Sequence, residues 1–425
     1  MYRSNAGAEL RDRAGDPKTR ALGLRHVHRN VWLLGITSLL TDASSEMVAA
    51  VLPLYAVYFL HVSPLAFGVV DALQQGGASL VKLASGWLSD RSQLHKPIAA
   101  SGYLASTLSR FGLLIAGPSA GALVPMVALD RIGKGIRTAP RDAIISLSVN
   151  RGALASAFGV HRALDTGGAM VGPVLGFAVL YWIRDGYDVV FAISLALAAI
   201  GVAVLVTFVQ TPGPIAGSEA PPMASTTAAP WGRPFLRVAA SAAVFGLASV
   251  SDSFIYLTLQ RSLGFRAELL PLLYVATPAV YLTLAVPAGR MADRVGRARV
   301  VLIGYGCLLA LYVVLASSLP ALAMATLSVS LLGAFYAATD GVFAALASAE
   351  LSVQRRTTGL AIVGTCNDAG RMVASLVFGW LWSHDTAASA VEYFQLVLLA
   401  AMLISGSMLW SVLKGGASAH VHRDS

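Results

Sequence analysis

The sequence predicts an all-α membrane protein with twelve transmembrane helices in two pseudo-symmetric six-helix bundles. The first observation is the composition: 56% of the residues are hydrophobic and only 12% are charged, about half the charged fraction of a soluble domain. The second is the recurrence of apolar runs of about 18 residues, the length that crosses a bilayer. The third is an internal repeat, since "GWLSDR" at 86–91 returns as "GRMADR" at 289–294, each after an apolar run.

Twelve segments, called spans here, are long and apolar enough to form these helices. They lie at 31–60, 65–88, 97–117, 122–147, 154–182, 187–209, 235–260, 267–290, 299–318, 321–349, 357–382 and 388–413. Between the sixth and seventh spans the chain is rich in Pro, Ala, Ser and Thr, which is typical of a flexible linker. The expected divisions are an N-terminal tail at 1–30, a first bundle at 31–209, a linker at 210–234, a second bundle at 235–414 and a C-terminal tail at 415–425.

The distribution of Lys and Arg predicts the orientation. If the N-terminus is cytoplasmic, twenty basic residues lie in or beside the cytoplasmic loops and tails, and only Arg184, Arg261 and Arg266 lie in outer loops. Basic residues accumulate on the cytoplasmic side of membranes. We therefore expect a plasma-membrane protein, in bacteria an inner-membrane protein, with both termini and the linker cytoplasmic. The basic residues form no single patch, so no nucleic-acid partner is expected.

Two further patterns accompany the repeated loop. In the fourth span "RIGKG" places Arg131 three residues before Lys134. The fifth span has regularly spaced small residues and one proline, namely Gly159, Gly168, Gly172, Pro173 and Gly176. Small residues at this spacing let two transmembrane helices approach closely.

These patterns resemble signatures of the major facilitator superfamily, and the resemblance covers nearly the whole chain. The family's loop pattern, close to G-x-L-x-D-R, is matched in two copies by Gly86, Asp90, Arg91, Gly289, Asp293 and Arg294. Its span-four pattern has Gln where this chain has Lys134, and its span-five "antiporter" pattern ends in a Gly where this chain has Phe177. The string "DRIGKGIRTAPRDA" resembles a largely uncharacterised prokaryotic branch of the family.

The resemblance implies a role for each pattern. The two loops would form a conformational latch that breaks when a transporter opens inward; the alternative is an ordinary topogenic loop with surface ion pairs. The span-five pattern implies an exporter that works as an antiporter; the alternative is a tight helix seam that has no influence on transport direction.

Residues 129–144, "LDRIGKGIRTAPRDAI", place six charges inside an otherwise apolar span. On a helical wheel they fall within an arc of about 140°. A charge that faces lipid costs at least about 2.5 kcal/mol. This face must therefore turn toward protein or water, and its buried charges need partners.

The depth of each acidic residue in the membrane, judged from its position along its span, indicates which of them could be those partners. Asp42 lies near mid-membrane in span one, Glu46 lies one turn further, and Asp165 lies at a similar level in span five. We expect Asp42 to be the leading proton-binding site with Arg131 as its partner, and Glu46 and Asp165 to be further candidates. An arginine holds a nearby carboxylate ionised and burial favours the neutral form, so a shift of either group can move the proton. A static ion-pair network is the alternative.

Other polar residues within spans are candidates for lining a substrate cavity. They are Lys134, Arg137, Arg162, Asp252, Asp340 and Asn367. Together with the resemblance, they predict a monomeric, proton-coupled exporter of a small organic solute. A symporter or exchanger for an anionic metabolite is the alternative, because spans four and five carry an excess of basic residues. A membrane sensor or a membrane-embedded enzyme is a third possibility. The sequence has no phosphate-binding loop or metal-ligand cluster, so no cofactor is expected.

Overall fold

A computed structural model of the protein describes residues 28–149, 154–210, 231–264, 266–351 and 355–421, and the regular elements in these ranges are all helices. The helices are numbered by the span that each forms, and an interrupted span has halves a and b. They are α1 Arg29–Leu54, α2a Pro64–Gly76, α2b Ser79–Ser92, α3 His95–Ala116, α4 Ala120–Leu147, α5 Leu154–Trp182, α6 Tyr187–Phe208, α7a Arg233–Leu247, α7b Asp252–Leu263, α8 Leu270–Val295, α9 Arg297–Leu315, α10 Ala321–Ala349, α11 Arg356–His384 and α12 Ala387–Val421. The predicted fold class is confirmed.

Eight helical segments among the described residues are long and apolar enough to cross a membrane. They are α3, α5, α6, α8, α9, α10, α12 and the seventh span as a whole. The other four spans include α4, which carries the charged face, and the second span. With 13 and 14 residues, α2a and α2b are each too short to cross a bilayer alone.

The seventh span is unwound for four residues between α7a and α7b, near the middle of the molecule. The hydroxyl of Tyr312 in α9 satisfies its backbone, since it accepts a hydrogen bond from the Val250 N–H at 2.8 Å and donates one to the Ala248 carbonyl at 3.0 Å. The Ser251 side chain caps α7b by accepting from the Phe254 N–H. Discontinuous helices of this kind often mark the binding site in transporters.

Glycines set the tightest seam inside the first bundle, between α1 and α5. A Cβ added to Gly172 would lie 2.5 Å from the carbonyl oxygen of Ala43, and a Cβ on Gly168 would meet the carbonyl oxygen of Leu39. Gly176 faces Val51 across the same seam. Gly168 and Gly172 therefore tolerate only glycine, because backbone atoms of α1 occupy the space of a side chain.

We expect Gly172→Ala to lower the stability of the protein, because overpacking a well-filled contact costs about 1–3 kcal/mol. Thermal unfolding of the detergent-purified protein, followed by tryptophan fluorescence, measures the loss. Gly167→Ala is the matched control, since a Cβ at Gly167 of the same helix meets nothing within 4 Å. Equal midpoints for the two variants would contradict the tight seam.

The two bundles meet mainly at one end of the molecule. We call this the hairpin end; there α1 leads into α2a, α3 into α4, α5 into α6, α7b into α8, α9 into α10 and α11 into α12. Helix α2a crosses α11 so closely that a Cβ on Gly379 would lie 2.6 Å from the Pro64 carbonyl oxygen. Further along this crossing the Ser375 hydroxyl donates to the buried carboxylate of Asp71 at 2.6 Å. The Tyr58 hydroxyl donates to Gln260 of α7b.

The opposite end, where α6 ends and α7a begins, is called the linker end. A cavity of about 240 Å3 runs there along α8 and α10, from Tyr281 to Asp293 and Arg297. Tyr281 also lines the cavity between the bundles, so the two cavities adjoin. The cavity between the bundles and the cavity at the linker end thus have one wall residue in common.

Candidate functional site

Asp130 of α4 is the centre of a buried ionic triad. Its carboxylate lies 2.5 Å from Nη1 of Arg110 in α3 and also pairs with Arg131. Facing glycines allow this contact, since a Cβ on Gly102 of α3 would lie 2.7 Å from the carbonyl oxygen of Gly133 in α4. All three charged side chains are at least nine-tenths buried. The triad ties α3 to α4, and both cations share one anion.

The structure corrects the expected partner of Asp42. Arg137, and not Arg131, pairs with Asp42, with Nη2 and Oδ1 2.9 Å apart. Arg131 binds Asp130 instead, and its Cβ packs beside Gly77 of the second span. Six residues separate the two arginines, so they point to different neighbours of α4. Of these two arginines, Arg137 contacts α1, and its guanidinium also lies over the ring of Tyr103 in α3 at 4.6 Å.

Two carboxyl groups meet between α1 and α5. Those of Asp42 and Asp165 lie within hydrogen-bonding reach of each other. Arg141 approaches Asp165 to 3.5 Å and Arg162 approaches it to 3.7 Å. The Oδ1 atom of Asp165 is buried and accepts no hydrogen bond from a described donor. Two adjacent carboxylates repel each other, so this geometry favours a state in which one proton lies between them.

The surroundings of this carboxyl pair are polar on the α4 side. Arg141 binds Asp142 at 2.9 Å and donates to the Ser38 hydroxyl at 3.2 Å. The buried His161 ring lies 3.0 Å from the same hydroxyl. The pair and its arginines thus form one connected network across α1, α4 and α5.

Lys134 and Glu46 form a looser pair than the rest of the network. Their charged atoms lie 3.5 Å apart, and both side chains are about one-third exposed. Glu46 also lines the cavity between the bundles. This pair therefore connects the charge network to that cavity.

The central cavity, of about 280 Å3, lies between the bundles. Side chains of α1, α5, α7b, α8 and α10 line it. Its carboxylates are Glu46, Asp252 and Asp340. Four tyrosines complete the polar part of the wall, and they are Tyr256, Tyr274, Tyr281 and Tyr336. Pro173 of the span-five pattern lines it as well, whereas a Cβ on Gly159 would meet nothing within 4 Å.

A smaller cavity of about 180 Å3 lies within the second bundle and shares Tyr336 and Asp340 with the central one. Asn367 and Arg371 of α11 line it. Arg371 lies 3.8 Å from Asp252, and the Tyr336 hydroxyl donates to the same carboxylate at 2.5 Å. Asp252, Asp340 and Asn367 therefore lie around these two cavities, and their role in binding a substrate stays a prediction.

The repeated loops lie at the linker end. Gly86 packs against Ala139 of its own bundle, and the Arg91 guanidinium lies over the ring of Trp87 at 5.3 Å. A Cβ on Gly289 would have open space around it, and Asp293 and Arg294 are exposed without an ion pair to any described side chain. The side chain of Asp90 lies outside the part of the chain that the structure describes. The latch stays a prediction.

Sequence reasoning missed Arg110, which closes the ionic triad. Its signal was present, because an arginine in the middle of the third span needs a buried anion. Among the described residues, no group of three or more metal-ligating side chains comes together.

The sequence matches a model of the Major Facilitator Superfamily over residues 34–375 and 238–421. An uncharacterised transporter of the major facilitator type from Methanocaldococcus jannaschii is 28% identical over 389 residues, which cover 89% of this chain and 95% of that protein. An uncharacterised protein from Mycobacterium tuberculosis is 23% identical over 382 residues, which cover 88% of this chain and 92% of that protein.

Solved transporters share the fold. A mutant of the nucleoside transporter NupG aligns with a TM-score of 0.73 at 15% identity and covers 91% of this chain and 99% of its own. A peptide transporter, POT, in complex with alafosfalin aligns at 0.72 and 14% identity, with 92% and 96% covered. A bacterial homologue of the lysosomal transporter Spinster, in an inward-facing and occupied conformation, aligns at 0.68 and 14% identity, with 90% and 96% covered. At such identities the similarity shows the fold alone. The family match carries the further conclusion: the chain belongs to the major facilitator superfamily, a family of transporters and not of enzymes, and is a multi-pass membrane protein that transports small molecules.

Proposed function

We propose that the protein is a proton-coupled antiporter that exports a small organic solute by alternating access. The observation that carries this proposal is the contact between the carboxyl groups of Asp42 and Asp165. They belong to different helices, α1 and α5, that both border the central cavity. A proton held between two carboxyl groups is released when the helices move apart or when an arginine comes closer.

The charged groups that face this pair give it a means of switching. Arg137 and Arg141 approach from α4 and Arg162 from α5. Lys134, Glu46, Asp142 and His161 lie at the edge of the same network. A movement of α4 relative to α1 shifts two cations at once and therefore changes proton affinity. Arg131 belongs to the neighbouring triad, so Arg137 is the arginine that contacts Asp42.

Alternating access follows from where the bundles touch. Their contacts concentrate at the hairpin end, and a cavity that adjoins the central one at Tyr281 lies at the linker end. With both termini and the linker on the cytoplasmic side, as the Lys and Arg distribution favours, this arrangement is inward-open. Arg91 and Asp293 of the repeated loops are exposed, as a broken latch would require.

The proposal extends to the organisation of the molecule in the plasma membrane. The first bundle comprises residues 31–209 and the second 235–414, and the protein acts as a monomer. The glycines of span five, in the pattern that resembles that of antiporters, support export. The alternative, transport of an anionic metabolite, rests on the basic excess of spans four and five. It has less support, because Arg131, Arg137 and Arg141 each contact a carboxylate.

Proton flux in proteoliposomes tests this function. The purified chain is reconstituted into liposomes that contain a pH-sensitive dye, a pH gradient is imposed, and pools of organic solutes are added. We expect some solutes to accelerate dissipation of the gradient and to accumulate against their own gradient. Solute movement that is independent of the pH gradient would contradict proton coupling.

A further inference from the structure

The charge on the wall of the central cavity indicates the charge of its substrate. Glu46, Asp252 and Asp340 line this cavity, and no Lys, Arg or His is among its lining residues in the described part of the chain. The basic residues that suggested an anionic substrate are not among these lining residues, and Lys134, which lies beside the cavity, is paired with Glu46. Arg137 and Arg141 are at most 5% exposed and are held by carboxylates of the first bundle.

Two of the three carboxylates are already matched by a cation. Glu46 has Lys134 at 3.5 Å, and Asp252 has Arg371 at 3.8 Å together with the Tyr336 hydroxyl. Asp340 differs from both. It is exposed, it forms no ion pair with a described side chain, and Arg371 acts on it only from a longer distance. One negative charge is thus left over, and it is the one that lines both cavities.

The aromatic lining fits a cation as well. Two tyrosine hydroxyls are engaged within the wall: Tyr256 donates to Thr277 at 2.7 Å and Tyr274 donates to Ser253 at 3.1 Å. Aromatic rings attract cations by about 0.5–2 kcal/mol, and clusters of them recognise quaternary ammonium groups. Tyr336 borders Asp340 in both cavities.

We propose that the transported solute is an organic cation with an apolar or aromatic body, and that Asp340 is its counter-ion in the central cavity. This assignment rests on the proposed transport function and adds the substrate class to it. The cation is held between the Asp340 carboxylate and the tyrosine rings. The apolar body occupies the adjoining cavity of the second bundle, whose wall includes Phe335 and Phe343.

Three probes of similar shape and different charge test the substrate class on the wild-type protein. They are phenyltrimethylammonium, its neutral isostere tert-butylbenzene, and the anion benzenesulfonate. Binding of radiolabelled phenyltrimethylammonium to the purified protein is measured by scintillation proximity, with the other two as competitors. We expect saturable cation binding that neither competitor displaces. Displacement by benzenesulfonate, or no saturable cation binding, would overturn the assignment.

Variants locate the counter-ion. We expect Asp340→Asn to weaken phenyltrimethylammonium binding about tenfold, or about 1.4 kcal/mol, because the bound cation loses its counter-charge. Asp340→Glu, which keeps the charge, should retain most of the affinity. Glu350→Gln, at the exposed end of the same helix, is the matched control and should bind as the wild type does. Unchanged affinity in Asp340→Asn would remove Asp340 from the site.

The assay separates this inference from the proposed function. Binding needs no proton gradient, so Asp340-dependent cation binding with no solute-driven proton flux would support the substrate class and contradict proton coupling. Proton flux driven by benzenesulfonate and not by phenyltrimethylammonium would support coupling and overturn the cationic substrate.

Discussion

We expect Asp42→Asn to abolish solute-driven proton movement and to leave exchange of solute across the membrane intact. An amide cannot take up or release a proton, so the Asp42–Asp165 pair loses the group that switches. The Asn side chain fills nearly the same space and still accepts a hydrogen bond from Arg137, so the cavity keeps its shape. Dye-loaded proteoliposomes measure proton movement, and labelled solute inside and outside the same vesicles measures exchange.

Matched variants sharpen this result. Asp165→Asn should behave as Asp42→Asn does, while Asp188→Asn, which changes an exposed acid in the first turn of α6, should move protons normally. Arg137→Gln should impair coupling more than Arg131→Gln, because only Arg137 contacts Asp42. Full proton-coupled transport by Asp42→Asn would remove the carboxyl pair as the proton site.

Asp130→Ala is expected to cause the largest loss of stability. Asp130 is the shared anion of Arg110 and Arg131, and the substitution leaves two guanidinium groups buried without it. Removal of one partner from a buried ion pair costs about 3–5 kcal/mol. The thermal midpoint in detergent should fall well below that of the wild type, and the yield of folded protein should fall with it.

A matched control and a rescue decide whether charge is the cause. Asp142→Ala changes an acid of the same helix that is 30% exposed, and its effect should be smaller because Arg141 keeps Asp165 and the Ser38 hydroxyl as partners. Replacing all three members together, as Arg110→Met, Asp130→Leu and Arg131→Met, removes the unpaired charges and should recover much of the lost stability. If Asp130→Ala alone were as stable as the wild type, the triad would have no role in holding α3 to α4.

The helices could be predicted because bilayer-spanning segments obey a simple length and hydrophobicity rule. The prediction of 97–117 for the third span differs by at most two residues from His95–Ala116, and that of 154–182 for the fifth is the same as the helix. The interruption of the seventh span was not foreseen. No proline occurs there, and the side chain that stabilises the unwound backbone, Tyr312, is distant in sequence.

The charge network was predictable in part. Burial of the span-four charges followed from the cost of exposing them to lipid, and depth alone brought Asp42 and Asp165 to a common level. Depth could not choose between Arg131 and Arg137, because that choice depends on which face of α4 meets α1. Glycine contacts such as that of Gly102 with Gly133 fix the rotation of α4 about its axis. Sequence periodicity describes one helix at a time and therefore cannot predict contacts between two helices.

The unwound residues between α7a and α7b can serve as a hinge in the transporter. A sharp kink in a continuous helix breaks ladder hydrogen bonds, whereas here the Val250 N–H and the Ala248 carbonyl are already bonded to the Tyr312 hydroxyl. The twelve residues of α7b can therefore swing with the hairpin-end contacts to α1 while α7a stays fixed against α11. Asp252 is the first residue of α7b and binds both Tyr336 and Arg371. Any such movement therefore displaces the carboxylate that these two side chains contact. Separation of the bundles at the hairpin end would then be coupled to a change in the wall of the central cavity.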